Sequence, residues 1–216
     1  MPKFLKPIIV FDHMTTQTAS APTWFRGFIQ GKTRIMMAWI FAAILVFSAR
    51  QYPTFPGIIV CFLGASLRFW ASGFLRKDSK PAVGGPYTFT RNPLYLGTYL
   101  MALGSALSIE NYWLLWAVSV IFFVLYHYRI LDEETKLARI FGEPYSLYCK
   151  AVNRFVPRIT PASRILMSQI NSESEAHQFN WKLATRNRAF EAYYSFLGLI
   201  GFIYLVAHAW QFFDHS

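Results

Sequence analysis

The chain has 216 residues, 54% of them hydrophobic and 19% aromatic. An ordinary soluble domain is about 45–50% apolar even with glycine counted, so a membrane protein is the first class to test. The formal net charge of +10 would suit a nucleic-acid binder, but the basic residues are distributed in a way that argues against that partner.

Residues 1–32 carry Trp24, Phe25 and Phe28 beside Arg26 and Lys32, a mixture suited to a helix lying in the membrane interface. Apolar blocks follow at 33–49, 56–74, 94–109, 112–128 and 189–213, predicting an all-α, multi-pass bundle of about five spans. A bilayer core needs about 20 mainly apolar residues. The fourth and fifth blocks are long enough and the second nearly so. The first and third are short, with Tyr52 and Tyr87 placed to occupy the interface. The expected organisation is an interfacial segment at 1–32, a transmembrane core at 33–158, a cytoplasmic linker at 159–188 and an additional transmembrane helix at 189–216.

Charge sets the orientation. Lys3, Lys6, Arg26, Lys32 and Arg34 precede or open the first block; Arg76, Lys77, Lys80 and Arg91 lie between the second and third; ten more Lys or Arg lie between positions 129 and 188. The other connections hold Arg50 and Glu110, and the tail holds Asp214. The positive-inside rule then predicts a cytoplasmic N-terminus and an outside C-terminus, in an inner or plasma membrane. Cys61 and Cys149 are too few for a disulfide framework and are expected as free thiols.

The loop before the third block holds Pro81, Gly84, Gly85 and Pro86, and delivers the chain to Asn92-Pro93. Asn suits a helix cap and Pro the first turn, so the third span should begin here, its free N–H groups and Arg91 forming an anion site. Gly97, Gly104 and Ser108 share one side of that helix and suit close packing. Arg68, inside the second block, can snorkel toward the cytoplasm or face the bundle.

Where the fourth block ends, His127, Arg129, Asp132, Glu133 and Glu134 crowd together. Ionisable groups so close to hydrocarbon are costly and frequently functional. Arg129 and Glu133 are four apart and can pair on one helix face, which serves a plain surface salt bridge as well as an active site. Residues 132–141 read as a helix ended by Gly142, with a second helix from Tyr145 to Val152. The polar stretch 171–177 (NSESEAH) reads as a mobile linker to the fifth span.

Two patterns in this order resemble a known family. The first is Gly85-Pro86-Tyr87 with Arg91-Asn92-Pro93-Leu94-Tyr95-Leu96-Gly97. The second is Glu133 and Glu134 followed by Leu137, Phe141, Gly142, Tyr145 and Tyr148. Together, over about residues 67–158, they resemble the isoprenylcysteine carboxyl methyltransferase and phospholipid methyltransferase family of integral membrane enzymes. Many members that methylate isoprenylcysteine carry His at the position of Asn92, and the loop before Gly85 is shorter than in the eukaryotic enzymes.

The resemblance implies a cofactor site for S-adenosylmethionine at the cytoplasmic face. Tyr87, Arg91, Asn92, Tyr95, Glu133, Glu134 and Tyr145 would line it, with Arg129 near the methyl acceptor. Expected partners are a lipid or prenylated small-molecule acceptor and membrane lipids, with no nucleic acid and no metal. A carboxylate acceptor needs only positioning by Arg129, whereas an amine must first lose a proton to a base such as Glu133 or His127. The rivals are phospholipid N-methylation and a non-catalytic membrane scaffold; a nicotinamide-dependent reductase is disfavoured because no glycine-rich dinucleotide motif occurs. Reporter fusions after Glu110 and after Asn171 are expected on opposite sides of the membrane; finding both on one side would overturn this topology.

Overall fold

The computed structural model describes residues 32–76 and 81–214. The expected interfacial helix around Trp24 lies outside the described residues. Among those described there are eight α-helices and no strand. They are α1 (Lys32–Ser48), α2 (Phe55–Ser72), α3 (Pro93–Ser108), α4 (Tyr112–Phe141), α5 (Glu143–Ala151), α6 (Arg164–Ile170), α7 (Trp181–Arg186) and α8 (Glu191–Asp214). Gly85–Thr88 and Ser174–His177 form single 3₁₀ turns.

Five helices therefore occupy the five apolar blocks, and α2, α4 and α8 are long and apolar enough to cross a membrane. At 1.5 Å per residue the 16-residue α3 reaches only about 24 Å, short of a hydrocarbon core of about 30 Å. Its placement explains the tolerance. Pro93, Gly97, Met101, Gly104, Ser105, Ala106 and Ser108 are buried, and α3 packs against α2, α4 and α8.

The α2–α3 contact is a seam of small residues. A Cβ added at Gly64 would lie 2.6 Å from the Gly97 carbonyl oxygen, one at Gly104 would lie 2.5 Å from the Cys61 amide nitrogen, and one at Gly57 would lie 2.3 Å from the Ser108 nitrogen. Backbones this close leave no room for a side chain. The Cys61 thiol, free as expected, donates to the Met101 carbonyl at 3.1 Å within the seam. At its end the Thr54 amide donates to the Ser108 carbonyl at 2.9 Å, joining the start of α2 to the end of α3. Arg68 faces the bundle, where its guanidinium donates to the Thr98 hydroxyl and, at 3.5 Å, to the Leu94 carbonyl.

α4 joins the fourth apolar block and the helix expected over 132–141. It is one 30-residue helix, begun by the Asn111 side chain accepting from the Leu114 amide at 2.9 Å and ended at Gly142 with φ of 60°. About 45 Å long, it overshoots the bilayer and carries Arg129, Glu133 and Glu134 out of it on a rigid rod.

The stretch 171–177 also differs from the mobile linker expected. The Asn171 side chain is buried and donates to the Pro81 carbonyl at 3.3 Å, and the His177 Nε2–H donates to the Asn171 carbonyl at 2.9 Å. Arg76 pairs with Glu173 at 3.0 Å. Further on, the Asn187 side chain donates to the carbonyls of Ser72 and Leu75 at 2.9 and 2.7 Å, satisfying acceptors that the end of α2 leaves open. Polarity here marks a cap on α2, because backbone groups exposed at a helix end need polar partners. α8 then runs back along α2, with Phe62 against Phe196 at 5.7 Å and Phe69 against Phe190 at 5.4 Å. At the far end the Trp210 indole donates to the Val46 carbonyl at 2.8 Å.

Gly104→Val is expected to destabilise the detergent-solubilised protein by about 1–3 kcal/mol through overpacking of the seam. Gly201→Ala, on α8 with nothing within 4 Å of the added carbon, is expected to be neutral. Thermal unfolding checks both, and equal effects would show that the seam is not under steric constraint.

Candidate active site

The site forms where α3 begins and α4 leaves the bilayer. The chain after α5 runs back as a strap along residues 88–92. The Arg91 amide donates to the Asn153 carbonyl at 2.9 Å, the Thr90 hydroxyl to the Phe155 carbonyl at 3.0 Å, the Arg158 amide to the Phe89 carbonyl at 2.9 Å and the Ala162 amide to the Thr88 carbonyl at 3.0 Å. Asn92, expected to cap α3 with its side chain, makes no such cap. Its amide donates at 2.8 Å to the Arg154 carbonyl, so its side chain holds the strap.

Two groups of ionisable residues result. In the first, Glu134 stands between two arginines: Arg91 at 3.2 Å and Arg154 Nε at 3.0 Å. The side chains of Arg91 and Glu134 are only 9% and 12% exposed, whereas that of Arg154 is 42% exposed. Arg91 Nε is buried with no acceptor, and Glu134 Oε1 is buried with no hydrogen-bond donor. The Cys149 thiol lies within hydrogen-bonding reach of Arg91 and Tyr145. Burial pushes that thiol up against the opposing pull of Arg91, so it is uncharged at neutral pH.

Beneath this group the phenols of Tyr87, Tyr145 and Tyr148 are buried, and burial raises all three above their ordinary value of 10.0. The Tyr148 hydroxyl donates to the Tyr87 carbonyl at 2.8 Å, tying α5 to the Gly85–Thr88 turn. These tyrosines are the neutral floor on which Arg91 and Glu134 rest. A separate cavity of about 360 Å³ opens on the Gly84–Gly85 side of the turn, lined also by Thr88, Arg164, Met167 and His177.

In the second group the Tyr95 hydroxyl donates to Glu133 Oε2 at 2.7 Å, with the Arg129 guanidinium beside it. Arg129 and Glu133 are thus linked through a tyrosine of the neighbouring helix. Successive residues on a helix point about 100° apart, so Glu133 and Glu134 divide between the two groups. His127 is brought to neither: it is exposed on α4 with its ring edge-on to Tyr128 at 5.5 Å.

Sequence reasoning missed Arg154, Cys149 and Thr90. Arg154 and Thr90 meet their partners across 20 and about 65 positions of chain. No local spacing signals such contacts. Tyr148 stood in the quoted pattern, and its role emerges only from the turn it holds.

Fold and site define a helical integral-membrane protein whose ionisable groups converge at one membrane face. Residues 40–144, just under half of the chain, match the phospholipid methyltransferase family, which bears out the resemblance carried by the two patterns. The chain is 31% identical over 83 residues to the protein-S-isoprenylcysteine O-methyltransferase of Schizosaccharomyces pombe, covering 38% of this chain and 35% of that one. It is 27% identical over 139 residues to the cobalt-zinc-cadmium resistance protein CzcN of Cupriavidus metallidurans, covering 60% and 64%. With the nickel-cobalt-cadmium resistance protein NccN of Alcaligenes xylosoxydans xylosoxydans it shares 26% over 134 residues, covering 61% and 58%. The matched stretch is thus about a third to two thirds of the length of these curated relatives. No solved structure matches.

Glu134→Ala is expected to lower stability by about 3 kcal/mol or more, because it strands Arg91 without a countercharge in a nearly buried position. Arg154→Ala should cost only about 0–1 kcal/mol, since its head group is largely hydrated. Unfolding in detergent micelles distinguishes them; equal losses would mean that Arg91 and Arg154 hold Glu134 equivalently.

Proposed function

We propose that the chain is an S-adenosylmethionine-dependent membrane methyltransferase acting on a lipid-like acceptor, with its site at the cytoplasmic face. The observation that carries this proposal is the buried Arg91–Glu134 pair, joined at 3.2 Å with Arg91 Nε left without an acceptor, set in a stretch that matches the family. These residues fit the cofactor. Arg91 Nε offers a charge-assisted bond to its carboxylate, and Glu134 Oε1 accepts from its ammonium or a ribose hydroxyl. When bound, the cofactor supplies a methyl group already activated on a sulfonium sulfur.

The protein's own work is placement and exclusion of water. The strap, held by Thr90, Asn92 and Glu134, covers the pair from the aqueous side. Arg129, fixed by Tyr95, presents a planar fork suited to an acceptor carboxylate, as in the O-methylation named for the Schizosaccharomyces pombe relative. N-methylation of a phospholipid headgroup, suggested by the family's name, would instead use Glu133 as base, its carboxylate held by Tyr95 at 2.7 Å. The orientation supports a cytoplasmic site: Arg91, Arg129 and Arg154 gather at one end of the bundle, while the Thr54–Ser108 and Trp210–Val46 contacts mark the other.

Incubation of the purified protein with methyl-labelled cofactor and total membrane lipid should yield a labelled lipid, whose identity separates ester from amine products. Arg91→Lys should weaken cofactor binding by about 1.5–3 kcal/mol, roughly ten- to a hundredfold, because an ammonium does not replace the fork. Arg129→Ala should depress turnover with cofactor affinity preserved, whereas Glu134→Gln should raise the apparent cofactor constant. No cofactor binding by calorimetry and no labelled product would leave the scaffold function standing.

A further inference from the structure

The strap also carries an aromatic side chain into the membrane-facing part of the bundle. Phe155 follows Arg154 directly, but the two side chains have different partners. Arg154 goes to Glu134 at 3.0 Å. The Phe155 ring goes instead to the cleft between α3 and α4, meeting Tyr99 at 6.0 Å, Phe122 at 5.9 Å and Phe123 at 5.4 Å. Those partners continue a line of rings from the second ionisable group. Tyr95, bonded to Glu133, lies edge-on to Tyr126 at 5.1 Å, and Tyr126 stacks on Phe122 at 3.9 Å. The line ends at Phe123, 49% exposed beside the exposed Val120, Ile121 and Val124 on the lipid-facing side of α4.

We propose that Phe155 is a specificity-determining residue that closes the apolar end of the α3–α4 cleft and so sets the length of hydrocarbon chain the acceptor carries. The inference rests on the function proposed above and adds to it the part of the acceptor that is selected. Three features support this occupant. The α3–α4 seam is lined by rings, and its outer end at Phe123 is exposed among Val120, Ile121 and Val124, so it suits a hydrocarbon chain. Its inner end is the Tyr95–Arg129–Glu133 group, where a polar head must sit. And Phe155 belongs to the strap, so the same segment whose Arg154 pairs with Glu134 on the cofactor side sets the wall on the acceptor side. A ring at this position limits chain length as a pocket wall does, where one methylene is worth about ten- to two-hundredfold in discrimination.

The alternative is that Phe155 only anchors the strap, and the two roles separate experimentally. Purified wild type, Phe155→Ala and Phe155→Leu are assayed with labelled S-adenosylmethionine and N-acetylcysteine thioethers of two, three and four isoprene units, with cofactor Kd measured by calorimetry. Phe155→Ala is expected to raise kcat/KM for the longest thioether relative to the shortest by about tenfold, through KM, with cofactor Kd unchanged. Phe155→Leu is expected to give a smaller shift in the same direction. A loss in equal proportion for all three thioethers in both variants, or a weakened cofactor Kd with the chain-length ratio unmoved, would overturn the proposal and leave Phe155 an anchor. If wild type methylates the thioethers but neither variant alters their ranking, this inference alone fails. If wild type neither binds the cofactor nor transfers label, the proposed function fails and the inference with it.

Discussion

The close approach of α2 and α3 is the constraint from which the site follows. Gly57 and Gly64 on one helix, and Gly97 and Gly104 on the other, bring the backbones so near that an added methyl group would strike main-chain atoms at each. In lipid, where helices gain little from burying apolar surface against each other, such van der Waals contact is what holds a pair in one register. That register places the first turn of α3, and with it Arg91 and Tyr95, at a fixed height. It also presents Arg68 to the Leu94 carbonyl and the Thr98 hydroxyl, so an intramembrane cation is satisfied by α3 itself.

α4 contributes by being long. A helix ending at the hydrocarbon boundary would leave its carboxylates on a loop, but the continuous α4 holds Glu133 and Glu134 at a defined angle beyond the membrane. Glu134 meets Arg91 from the α3 entrance and Arg154 from the strap; Glu133 meets Tyr95 one turn into α3. A nearly buried carboxylate is tolerated because two guanidinium groups face it, and the unmet atoms of that pair are where a ligand gains most.

Much of this was legible in the sequence, for reasons that can be named. Apolar blocks report burial in lipid directly, so the five long helices were found in place. Gly97, Gly104 and Ser108 share a face by helical periodicity alone, which marked the seam from the α3 side. Arg91 and Glu134 were both identified, but as separate features. Their pairing depends on the register of two helices, which no local pattern encodes. Asn92 stands at the cap position of α3 as its type suggests, but its side chain serves the Arg154 carbonyl, 62 positions away. The stretch 171–177 was misjudged because a polar composition fits equally a solvated linker and a segment whose polar groups bond to the loop after α2 and to one another. The block 112–128 and the helix over 132–141 were read separately because the charges at 129–134 end the apolar stretch without ending the helix.

The strap gives the arrangement its last property, which is coupling. Residues 153–158 are attached to α3 and its preceding loop by main-chain bonds at Arg91 and Phe89, and by the side chains of Thr90 and Asn92. Arg154 and Phe155 then face in opposite directions, one toward the ion pair and one toward the aromatic cleft. A displacement of the strap cannot open one side without disturbing the other, since both contacts hang on one short run of backbone. A single peptide segment therefore lies over the Arg91–Glu134 pair on one side and packs against the rings between α3 and α4 on the other.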